Sequence, residues 1–114
     1  SKILGGLLMT VTLVLASGCG GGGAESKIDQ AAVSQLTAKV AEGDASAAMK
    51  LGEMYATDTG VRESQIEAVK WFSIASRMGH GDAKVAYDTL NNSLPFEDQA
   101  EAERRVALFK IPGQ

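Results

Sequence analysis

The sequence predicts an all-α protein, a short α/α solenoid of antiparallel helical hairpins with about five helices. Three observations lead there. Ala47, Ala48, Leu51, Met54 and Tyr55 recur at the spacing of one helical stripe. Ala68, Trp71, Phe72, Ala75 and Met78 form a second stripe beyond a polar turn containing Gly60, so the two helices fold back as a hairpin. The pattern then restarts, with Gly79 standing 36 residues after Gly43 and Ala83 standing 36 after Ala47. A fixed period in this range marks a stacked helical array.

Taken in order, the chain begins with an apolar run over residues 3–16, preceded by Lys2. At 14 residues it is shorter than the ~20 needed to span a bilayer and fits the apolar region of a signal peptide. Residues 1–18 are therefore expected to be a signal peptide. The run ends Leu15-Ala16-Ser17-Gly18-Cys19. Cys19 is the sole cysteine, so no intrachain disulfide can form with it. Residues 20–23 are four glycines, too costly to order, and residues 19–25 read as an attachment point and flexible tether. Without residues 1–18 the chain carries 10 basic and 14 acidic residues. That mildly acidic balance argues against nucleic acid as a partner.

The folded part is expected over residues 26–112, as one domain. Ile28, Ala32, Val33, Leu36 and Val40 predict a first helix ending at Gly43. Asp44 is the expected N-cap of the second helix, in which the small Ala47 and Gly52 allow close approach of a neighbour. Ser64 and Glu67 have the spacing of a capping box for the third helix. Trp71 and Phe72, the bulkiest pair, are expected in the core. Gly79 closes that helix, and Gly81-Asp82 restarts the chain. A fourth helix follows with Ala83, Ala86, Tyr87 and Leu90 inward. Pro95 suits the first turn of a last helix over about 95–110. That helix is expected to cover the fourth through Ala102, Val106, Leu108 and Phe109 and so to cap the array. The full repeat spans about 43–79 and the partial repeat 79–92.

Ala47, Leu51, Gly52, Tyr55, Gly60, Val61, Ala68, Trp71, Ala75 and Gly79 together resemble the Sel-one-like repeat, a branch of the tetratricopeptide-like hairpins. Asp58 stands where that family more often has a loop glycine, and Asp tolerates left-handed backbone better than most residues. Ser76 and Asp88 are further departures. The segment before Cys19 resembles the bacterial lipobox, with Ala16 where Leu is commoner. That resemblance implies lipidation of Cys19 and a lipid-anchored protein of the bacterial envelope. With Gly20 rather than Asp after the cysteine, it implies the outer membrane, facing the periplasm.

Chemistry is sparse. His80 is the single histidine, and with Cys19 taken by lipid neither a triad nor a metal cluster can be assembled. His80 follows a helix C-terminus, where positive charge is welcome. No cofactor or metal is expected, and no catalysis. The repeat resemblance implies a protein–protein adaptor or scaffold. Its expected binding surface is the solvent side of the second helix, Lys50 and Glu53, with Lys84 and Asp88 beside it. The alternative is an envelope enzyme or enzyme inhibitor acting on cell-wall-related substrates.

Overall fold

The computed structural model describes residues 28–113. Cys19 and the segments expected to be signal peptide and tether lie outside the described residues. Five α-helices follow one another: α1 Gln30–Ala41, α2 Ala45–Ala56, α3 Arg62–Arg77, α4 Gly81–Asn92 and α5 Phe96–Leu108. No strand occurs among the described residues.

The period seen in the sequence is a period of backbone geometry. At the end of α1, Gly43 takes φ +103°, its N–H bonds to the Val40 carbonyl, and Asp44 N–H reaches back to Lys39. At the end of α3, Gly79 takes φ +102°, with the same two bonds onto Ser76 and Ala75. Both are Schellman caps, in which only glycine adopts the left-handed residue without strain. Helix α4 then begins and ends 36 residues after α2. The next connection breaks the period: five residues join α2 to α3, and three join α4 to α5. From there the register is 34.

Helix α3 is the hub, with α2, α4 and α5 all packed on it. Its register with α5 is visible in paired contacts. Arg62 meets Asp98, Glu67 meets Arg105, and Trp71 meets Phe109, so the two helices run parallel, as second helices of successive hairpins do. One apolar cluster gathers Val40, Ala48, Leu51, Trp71, Ile74 and Ala83 across α1 to α4. A second joins Ile66 and Val69 of α3 to Ala102 of α5, with Tyr87 and Leu90 of α4 laid against it.

Close approach within the first hairpin depends on Gly52. A Cβ placed there would overlap the ring edge of Phe72, Cδ1 and Cε1. Phe72 is itself buried, so its ring cannot yield into solvent. Gly52→Ala is therefore expected to destabilise by about 1–3 kcal/mol through overpacking, although alanine favours a helix interior by ~1 kcal/mol. Urea denaturation of the two proteins checks the sign.

Five expectations are corrected. Ser64 does not open a capping box. The helix starts earlier, at Arg62 behind a Val61 N-cap, and Ser64 Oγ instead donates to the buried Asp58 carboxylate at 2.7 Å. That bond shapes the turn, and no described residue other than glycine takes positive φ, so Asp58 is not left-handed. His80 is the N-cap of α4, and its side chain makes no capping bond. A positive charge there would face a helix N-terminus, the opposite of what its place after α3 suggested. Pro95 is likewise the N-cap of α5 rather than a residue of its first turn. The largest correction concerns α5, which lies chiefly on α3 rather than covering α4. Ala102 and Val106 are buried as expected, but Leu108 is 87% exposed. Asp88 occupies the position of Gly52 one repeat on, and a branched, charged side chain there forbids the tight approach that Gly52 permits between α2 and α3.

Candidate functional site

Three features carry polar or exposed chemistry. The first is the expected surface. Lys50 and Glu53 are exposed on α2. Lys84 and Asp88 are joined to each other on α4, Nζ to Oδ2 at 2.8 Å, an i,i+4 pair in solvent that contributes a few tenths of a kcal/mol. That carboxylate raises the Lys84 pKa through its hydrogen bond and charge. The two pairs do not form one row. In the 36-residue register Lys84 and Asp88 match Ala48 and Gly52, while Lys50 and Glu53 match Ala86 and Thr89.

The second feature is an ionic seam between α3 and α5. Arg105 holds three carboxylates: Glu63 at 2.6 Å, Glu67 at 2.7 Å and Glu101 at 2.8 Å. These bonds, that to Glu63 foremost, push its guanidinium pKa upward against partial burial. Glu67 also meets Lys70 at 3.1 Å, and the Lys70 ammonium stands 4.3 Å over the Trp71 ring. At the other end Arg62 Nε donates to the buried Asp98 at 2.9 Å. Each carboxylate is answered by a cation, so the cluster fastens helices together. No group of His, Cys, Asp or Glu among the described residues is placed to hold a metal ion.

Glu101, paired with Arg104 and Arg105 of its own helix, gives α5 a sensitivity to acid. Hydrogen bonds from Arg105 and then Arg104 hold the Glu101 carboxyl below its ordinary value of 4.5. A carboxylate whose pKa falls on folding stabilises the fold above its unfolded pKa, and this is lost as pH drops through the depressed folded value. Thermal midpoints are therefore expected to fall as pH goes below about 4.5, and Glu101→Gln should flatten that slope. An equal slope in both proteins would remove Glu101 from the account.

The third feature is a groove of about 390 Å³ between α4 and α5, lined by Tyr87, Asn91, Phe96, Gln99, Ala100 and Glu103. Phe96 stands at its mouth, 82% exposed. Burial raises the Tyr87 pKa, with Glu103 adding to it. Sequence reasoning missed both the groove and the seam. Allowing the second turn to be two residues shorter would have aligned α5 on α3. Trp71 would then match Arg105, and Val69 would match Glu103.

Trp71 and Phe72 belong to the core, 3% and 4% exposed. Two buried nitrogens, Trp71 Nε1 and His80 Nδ1, have no hydrogen-bond partner. No described helix is long and apolar enough to cross a membrane. Comparison of the chain with protein-family models, curated proteins and solved structures finds no match.

Proposed function

We propose that this chain is a lipid-anchored protein of the bacterial envelope, a protein–protein adaptor built on a short helical-repeat domain and carrying no catalytic step of its own. The observation that supports it best is the repetition of one hairpin on another, with apolar side chains gathered between helices and the solvent faces charged. Arrays of this kind offer continuous helical surface to other proteins. Lys50, Glu53 and Lys84 are exposed side chains on that surface, and Asp88 is half-exposed beside Lys84. The anchor is assigned to Cys19 on the apolar run, the small residues before it and the glycines after it. Gly20, rather than Asp, after the cysteine supports an outer-membrane anchor facing the periplasm.

Crosslinking in intact bacterial cells, followed by mass spectrometry, tests the adaptor. The expected result is one recurrent partner joined through Lys50 or Lys84. Crosslinks scattered over abundant envelope proteins would count against it. Intact-mass measurement of membrane-extracted protein tests the anchor: residues 1–18 should be missing and lipid mass present on Cys19. An unprocessed chain overturns that assignment.

A further inference from the structure

Burial patterns in α3 and α5, aligned at the 34-residue register, separate into two sets. Ser64 and Asp98, Ala68 and Ala102, and Phe72 and Val106 are buried in both helices. Ile66, Val69 and Ser73 are buried in α3, whereas their counterparts Ala100, Glu103 and Ala107 are half-buried or exposed in α5. On α3, Ile66 and Val69 of the second set meet Tyr87 and Leu90 of α4 and Ala102 of α5. On α5 the matching face is open and forms the floor of the groove beside Tyr87 and Phe96. The groove is thus the seat that α4 fills one repeat earlier.

We infer that this seat receives an amphipathic helix of a partner protein, docked as α4 docks on α3 and bearing a lysine or arginine opposite Glu103. The shape argument comes from α4, whose small Ala83 and larger Tyr87 and Leu90 make the stripe that fits such a seat. The charge argument comes from Val69 having become Glu103. A helix that covers a carboxylate must supply a cation, because a buried charge left unpaired is strongly unfavourable. Glu103 has only a loose pairing with Arg77, 3.7 Å apart and both half exposed, so it can turn to a new cation. Phe96, where α3 has Arg62, adds an exposed aromatic of the kind that anchors interfaces. A second copy of the chain is a poorer occupant, since the apolar stripes of its own α2 and α4 are already spent on α3.

This surface differs from Lys50, Glu53, Lys84 and Asp88, so the inference rests on the adaptor reading only in requiring a protein partner. The probe is a fluorescein-labelled, hydrocarbon-stapled peptide of residues 81–92 carrying Tyr87→Lys, added to the full-length chain in detergent micelles. Fluorescence polarisation should show saturable binding that Phe96→Ser weakens roughly tenfold or more. Glu103→Lys should weaken it similarly, and a Tyr87→Glu peptide should restore binding to Glu103→Lys. Both variants alter exposed side chains, and unchanged helical circular dichroism checks that they fold. Absence of saturable binding up to about 1 mM, or binding indifferent to both variants, overturns the inference. So does a dimer of the full chain that Phe96→Ser converts to monomer, which would make a second copy the occupant. Failure of crosslinking in cells leaves this peptide result standing, so the two readings fail separately.

Discussion

Trp71→Ala is expected to unfold most of the helical domain. The indole packs edge-on to Phe109, with ring centroids 5.2 Å apart, and lies beneath the Lys70 ammonium. It sits where α3 meets both the main apolar cluster and the end of α5. Large aromatic-to-alanine changes in cores cost about 3–5 kcal/mol. At ~0.05–0.15 kcal/mol per residue, a domain of this size has roughly 4–13 kcal/mol in total. The loss therefore consumes much or all of the margin. Trp71→Phe makes the control. The indole N–H is buried without a partner, so its removal relieves an unsatisfied donor while most of the ring volume stays. Far-ultraviolet circular dichroism and urea titration should show Trp71→Phe close to the parent and Trp71→Ala largely unfolded. A folded Trp71→Ala would move the indole out of the core.

Removing residues 93–114 is expected to have the next largest effect. Helix α5 covers Ile66 and Val69, both 1% exposed, and brings Phe109 onto Trp71. Full burial of an aliphatic side chain stabilises by about 1.5–3 kcal/mol, so Ile66 and Val69 together stand for roughly 3–6 kcal/mol, part of which α4 still protects. The cations Arg62 and Arg77 and the carboxylates Glu63 and Glu67 lose their α5 partners as well. The truncated chain should expose an apolar strip on α3 and form oligomers or aggregates in size-exclusion chromatography. A stable helical monomer would show that α5 is not the cap of this array.

Much of this fold was legible because its signals are local. Gly43 and Gly79 each end a helix by the same two backbone bonds, and a short window of sequence contains everything needed to make them. Asp44 caps α2 through its own carboxylate, which accepts from Ala47 N–H at 3.2 Å. The reading of Gly52 as a place of close approach rested on its lack of a side chain, and Phe72 is the group that fills the space. Ser64 shows where locality misleads. The Ser–Glu spacing satisfies the capping-box pattern, yet Asp58 and Arg105 outbid the backbone for those two side chains. A charge-assisted bond is about twice as strong as a neutral one, so the carboxylate and the guanidinium win.

The candidate surface was legible only as far as exposure goes. Lys50, Glu53 and Lys84 are exposed and Asp88 half-exposed, as charged positions on amphipathic helices should be. Whether charges on two helices share a face depends on how the helices are rotated and spaced, and this involves residues far apart in the chain. Glu103 and Phe96 escaped notice because the turn before α5 is two residues shorter than the one before α3. With the register misread, nothing marked Glu103 as standing at an apolar position.

By itself, then, the sequence determined the number of helices, the glycine ends of α1 and α3, the Asp44 cap of α2, the 36-residue period and the burial of Trp71. Each follows from stripe spacing or from a backbone geometry that one residue type favours. The tertiary structure alone decided that α3 is the hub, that α5 runs parallel to it behind an ionic seam, and that α4 and α5 part to leave a groove. Those outcomes turn on Asp88 standing where Gly52 stands, on Arg105 reaching three carboxylates from two helices, and on Glu103 replacing Val69. They are set by which side chains meet across helices, and helical periodicity along one segment contains no information about the segment opposite.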